Sequence, residues 1–171
     1  MVNHEWQVCA RLIHRVQYRC PGYRGRDKSP RDNIPMAKLK TTCYRCGNAI
    51  FMNVNQTLAY GNQLVWNGSY ICPYCNEQIE EDGYGDLPED ARNAILEEQG
   101  TWALDVSETG SPIIHVLKLL REELKLSLEE TSQLRKAIPG IVVIGTRAEM
   151  ERLHLLLAKD HLQSSVKQLN Q

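Results

Sequence analysis

Two short stretches, "CYRCG" and "CPYCN", constrain this chain more than anything else in it. Cys43 and Cys46 stand two residues apart, as do Cys72 and Cys75. A Cys-x-x-Cys turn aims both sulfurs at one point, and two such turns supply the four thiolates that a tetrahedral ion such as zinc takes. The gap of 25 residues from Gly47 to Ile71 suits a hairpin that brings the turns together. Gly47 follows the first pair, and Pro73 lies inside the second. The competing readings are two disulfides or a redox Cys-x-x-Cys. No secretory signature supports the first: the start "MVNHEWQVCARLIH" has no long apolar run. The duplication weighs against the second, because a redox pair ordinarily stands once, at a strand-to-helix junction.

Between the pairs, "AIFMNVNQTLAY" and "QLVWNGSYI" are rich in strand formers and broken by Gly-Asn and Asn-Gly, which read as turns. Together with the cysteines they resemble the zinc-ribbon family over about residues 38–81. The resemblance implies a small antiparallel β unit, with one structural Zn²⁺ held by Cys43, Cys46, Cys72 and Cys75. Four sulfurs close the coordination shell, so such an ion stabilises the fold and activates no substrate. Asn76 stands where a second turn often carries glycine, and asparagine tolerates the same left-handed backbone.

The chain divides into four parts. Residues 1–37 read as a basic, flexible leader, with seven Lys or Arg against three acids and the Pro- and Gly-rich stretch "PGYRGRDKSPRDNIP". A short helix over Glu5 to Tyr18 fits the spacing of Trp6, Cys9, Leu12, Ile13 and Val16. Cys9, His14 and Cys20 match no compact metal-binding spacing. Met36 opens "MAKLKTTC", which reads as a natural start. Residues 38–83 form the cysteine unit. Residues 84–100 form a connecting helix, capped by Asp86 with Pro88 in the first turn and stopped by Gly100. Residues 77–108 carry eleven acids against Arg92 alone, and those of "EQIEEDGYGDLPED" are placed in a loop.

Residues 101–171 form a separate α/β unit. "TWALDV" reads as a strand with Trp102, Leu104 and Val106 on one face. A helix from Ser111-Pro112 carries an apolar stripe of Ile113, Val116, Leu117, Leu120 and Leu124. "SLEE" and "TRAE" are capping boxes that open two further helices. The last of these turns Met150, Leu153, Leu156 and Leu157 inward. "IVVI" reads as a buried strand, and "SSVKQL" gives a short last one.

The words "VLKLLRE", "LKLSLEET" and "RAEMERLHLLLAK" in that order are similar to the C-terminal domain of the bacterial ribosomal stalk protein, over roughly residues 101–171. The resemblance implies a βααβαβ fold and a protein-binding face on its first two helices, where translation GTPases dock in that family. Lys118 and Arg121 match basic residues of that face. Ser127, Glu129 and Ser132 depart from the family's pattern. On the residues alone, Lys118 and Arg121 are equally solvated helix positions.

The expected fold class is therefore α+β: a four-cysteine ribbon followed by a βααβαβ domain. No phosphate-binding glycine loop or nucleophile motif is present, and His115, His154 and His161 are isolated, so no enzyme is expected. No apolar run reaches membrane-spanning length, and a cytoplasmic setting is expected. The functions that remain are a protein-binding adaptor linked to the ribosome or translation, a nucleic-acid binder using the basic leader of residues 1–37, Lys38, Lys40, Arg45 and the ribbon aromatics, and an immunity or toxin-neutralising protein. Trp66, Tyr70 and Tyr74 either cover the metal site or stack on bases.

Overall fold

The computed structural model describes residues 36–169, all of which belong to one compact unit spanning Ile34–Gln171. The readings made on residues 1–35, including the helix over Glu5 to Tyr18 and the placement of Cys9, His14 and Cys20, lie outside the described residues.

The chain is mixed α/β, with two antiparallel sheets and four helices among the described residues. The first sheet is a meander of β1 (Ala37–Thr42), β2 (Ala49–Leu58), β3 (Leu64–Ile71) and β4 (Gln78–Tyr84). Alternation along β2 is strict: Ile50, Met52, Val54 and Gln56 are buried, while Phe51 and Thr57 are exposed. That period of two gives the sheet one wet face and one covered face. Helix α1 (Glu89–Gln99) covers the second; it adds Ala91 and Ile95, and the segment before it adds Leu87, to a core that contains Cys43 and Cys72. The helix anticipated as a connector thus completes the cysteine unit's core. Pro88, not Asp86, takes its N-cap position, and Gly100 ends it at φ 78°.

Two readings of this half need correction. The acids of Gln78–Tyr84 lie in edge strand β4, not a loop: register with β3 pairs Gly68 with Glu81 and Asn67 with Asp82. A solvated edge accepts charge readily. Asn67-Gly68 is no turn but lies inside β3, where Met52 packs over the glycine; a Cβ there would sit 2.8 Å from the Met52 sulfur. The hairpin turn is at Tyr60–Asn62, with Gly61 at φ 77°. Trp66 and Tyr70 face the covered side, and Tyr74 is 66% exposed.

The second half runs β5 (Trp102–Val106), α2 (Pro112–Leu124), α3 (Leu128–Ala137), β6 (Gly140–Gly145), α4 (Arg147–Lys159) and β7 (Ser164–Gln168). Both capping boxes form, Ser127 with Glu130 and Thr146 with Glu149. The helices bury Val116, Leu120, Met150, Leu153 and Leu157 against Leu104 and Val106. The sheet order is β6-β5-β7, so "IVVI" is an edge strand and not a buried one. Ile141 is 45% exposed and Ile144 57%. Composition reports β-branching, which edge and centre share.

The two halves meet through polar contacts. Gln56 Oε1 accepts the Thr146 hydroxyl at 2.5 Å in a buried bond. Arg92 of α1 makes a bidentate pair with Glu149 of α4 at 2.7 and 2.8 Å. Gly145 leaves room for that pair: a Cβ there would overlap the Glu149 carboxylate and displace it from Arg92.

Candidate metal centre

The four cysteines stand at the same end of the first sheet, on the β1–β2 and β3–β4 connections. Each connection is built identically. Cys43 N–H donates to Asn48 O at 2.8 Å and Gly47 N–H to Cys43 O at 2.9 Å; Cys72 N–H donates to Glu77 O at 2.8 Å and Asn76 N–H to Cys72 O at 2.9 Å. Gly47 (φ 71°) and Asn76 (φ 57°) take the same left-handed position. Asparagine therefore does in the second turn what glycine does in the first. The long β2–β3 ladder, pairing Asn53 with Ser69 through Leu58 with Leu64, brings the two turns face to face.

All four Sγ atoms lie within 4.8 Å of one another. Cys43 and Cys75 sulfurs are 3.6 Å apart, as are those of Cys46 and Cys72. Metal–sulfur bonds of about 2.3 Å, the zinc–thiolate length, give a tetrahedron with edges of about 3.8 Å. A disulfide needs about 2.05 Å, and all four cysteines are free. The donor set fits one tetrahedral metal ion, with Cys43, Cys46, Cys72 and Cys75 as its ligands.

The electrostatics agree with the geometry. The backbone N–H and side-chain amide of Asn48 both favour the Cys46 thiolate, bringing its thiol down to about 6; the amide reaches Sγ at 3.3 Å. The Cys46 backbone N–H lowers Cys43. Cys75 goes the other way. The Glu77 N–H acts to lower it, yet burial and the three neighbouring sulfurs together push it up to about 12. Four converging thiolates cannot all stay ionised beside one another without a cation, and a bound dication would displace the remaining protons. Tyr70 covers the cluster from the core side, its hydroxyl accepting the Tyr44 N–H at 3.1 Å. Arg45 and Glu77 pair across the two turns at 3.5 Å, a contact too exposed to add much stability.

Lys118 and Arg121 lie elsewhere, on a groove of about 640 Å³ between α2 and α3 that Ile114, Leu117, Lys125 and Thr131 also line. Both are exposed. Arg121 also has a local role: its Nε donates to Leu126 O at 3.2 Å, securing the turn after α2. Lys125, which sequence reasoning passed over, reaches the groove because it takes a left-handed C-cap (φ 53°). The histidines among the described residues are not gathered. His115 pairs with Asp160 at 3.0 Å, and His154 Nδ1 contacts Ser164 Oγ at 2.9 Å. Among the described residues no helix is long and apolar enough to cross a membrane.

The chain matches no protein-family model and no curated protein sequence.

Proposed function

We propose that this chain is a non-catalytic adaptor, held together by one structural zinc ion, that binds a protein partner through the groove between α2 and α3. The observation that carries the reading is the convergence of Cys43, Cys46, Cys72 and Cys75 within 4.8 Å. Four thiolates occupy every position of a tetrahedral shell and leave none for water or substrate. The ion then serves the fold, and function belongs to the surfaces the fold presents. The first sheet reads as a zinc ribbon in a reducing, cytoplasmic setting. The order strand, helix, helix, strand, helix, strand is similar to the stalk C-terminal domain, which points to a partner at the ribosome or in translation.

The groove suits a protein partner by its chemistry. Ile114, 72% exposed, stands beside Lys118, Arg121 and Lys125. The groove carries three cations, Lys118, Arg121 and Lys125, against one acid, Glu122, so its apolar floor and net positive rim favour a segment carrying both apolar and acidic side chains. Affinity purification of the tagged chain with mass spectrometry tests this, with Lys118→Glu alongside. Lys118 is exposed, so the variant keeps its melting temperature, and the partner is expected to be lost. Recovery of the same proteins by wild type and variant would sink the reading.

Nucleic-acid binding has one observation in its favour. Tyr44, beside Arg45 on the first cysteine turn, is 90% exposed and Tyr74, on the second, 66%; Phe51 is 55% exposed and lies opposite Lys40. Exposed rings beside cations make a stacking platform. A gel shift whose affinity falls steeply with salt would favour this function over the adaptor.

A further inference from the structure

We infer that two copies of this chain associate through strand β6, pairing antiparallel about a twofold axis to join their three-stranded sheets into one of six strands. Two observations carry the inference, one from the sheet edges and one from the sequence of the strand itself.

The described strands leave four sheet edges: β1, β4, β6 and β7. Three carry charges that discourage pairing with another chain: Lys38 and Lys40 on β1, Glu80, Glu81 and Asp82 on β4, and Lys167 on β7. β6, "GIVVIG", carries none. An uncharged apolar edge is the kind that accepts a further strand. Two of its side chains already stand in solvent, Ile141 at 45% and Ile144 at 57% exposure.

The sequence of β6 selects the partner. Gly140-Ile141-Val142-Val143-Ile144-Gly145 reads the same in both directions. An antiparallel pair centred between Val142 and Val143 sets Gly140 against Gly145, Ile141 against Ile144 and Val142 against Val143 of the second copy. A twofold contact needs such self-complementarity, residue i meeting j while j meets i. The register with β5 places the side chains correctly. Ile144 lies opposite Ala103 and Ile141 opposite Asp105, two residues apart on β5 and so on one face. The register shift between Leu104 and Asp105 takes up Val142, and Val142 and Val143 pack toward the helical core. Both isoleucines therefore face the open side. The twofold axis puts that side of both copies on the same surface, where four isoleucines form one cluster. Lys167 and Asp105, paired at 2.9 Å on this face, neutralise each other beside it.

The test is the mass of the full-length chain by sedimentation or light scattering, for wild type, Ile144→Lys and Ile141→Lys. Wild type is expected at twice 19.6 kDa, and both variants at the single mass with their melting temperatures kept. A wild-type chain that stays monomeric to its solubility limit, or lysine variants that remain dimeric, would overturn the proposal. A second measurement fixes the register without relying on lysine. Oxidation of Ile141→Cys mixed with Ile144→Cys is expected to give a disulfide-linked dimer above the wild-type background, because paired positions lie about 4.5–5.5 Å apart. Either cysteine variant alone should not, since like positions are offset by three residues, about 10 Å, beyond the roughly 7 Å a disulfide spans. Linkage absent from the mixture, or equal in each variant alone, also overturns it.

Discussion

Thr146→Val should destabilise the chain by more than the loss of a helix cap, and the excess should vanish when Gln56 is also changed. Thr146 is 1% exposed and Gln56 7%. The threonine hydroxyl donates to Gln56 Oε1 at 2.5 Å and accepts the Glu149 N–H at 3.2 Å. Valine keeps the shape and removes both bonds. Loss of the N-cap costs about 1 kcal/mol. Leaving the buried Gln56 carbonyl without a donor adds about 1–3 kcal/mol, for a total of about 2–4 kcal/mol. Gln56→Leu alone behaves differently. Its amide nitrogen is already buried without a partner, so the substitution removes one unsatisfied donor while leaving the Thr146 hydroxyl without its acceptor; the two effects oppose each other, and the net change is expected to fall within about 1 kcal/mol of wild type. In the Gln56→Leu background Thr146→Val should then cost only the cap, about 1 kcal/mol, leaving a coupling of about 1–3 kcal/mol across the junction of the two halves. Urea unfolding followed by far-UV circular dichroism, with zinc in excess, measures all four corners of this cycle. Thr146→Ser, which keeps the hydroxyl, is the control. Equal costs for Thr146→Val in both backgrounds would refute the coupling.

Three further outcomes follow from the same contacts. Gly145→Ala forces a methyl onto the Glu149 carboxylate and close to Arg92 and Met150, so it should cost about 1–3 kcal/mol in the same unfolding assay. The backbone N–H of Ser127 holds the Glu130 carboxyl below its usual range; a depressed folded value gives stability that is present above the unfolded value, roughly 4.3, and is lost as pH falls through the folded one. Acid unfolding curves of Glu130→Gln should therefore be flatter than wild type in that window and converge with it below. Removal of zinc by a chelator should unfold the first sheet together with α1, whose Ala91 and Ile95 belong to the same core, while amides of the second core stay protected from hydrogen exchange.

Features set by local spacing were the ones legible in the sequence. The two cysteine turns, both capping boxes and the glycine stop at Gly100 each depend on residues within a few positions of one another, and each forms as read. What the sequence hid depends on partners distant along the chain. β-Branching in "IVVI" marks a strand but cannot say whether a second neighbour will pair with it, so an edge reads the same as a centre. The acids of β4 masked a strand because charge on an edge costs little. Helix α1 looked like a connector because its buried face holds only Ala91 and Ile95, and the sheet beneath it is not visible in its own composition. Gln56 carried no signal at all; its partner lies 90 residues away. Lys118 and Arg121 were placed on the α2 surface, and the groove they share with Lys125 arises only once α3 folds against α2.

Metal content decides the central claim. The chain purified from a reducing host without added metal, its zinc measured by elemental analysis against protein concentration, should carry one zinc ion per chain. The Cys43→Ala/Cys72→Ala variant, which removes the two most buried ligands, should carry none. A wild-type chain without stoichiometric zinc, or a variant that keeps it, would contradict a fold held by four converging sulfurs.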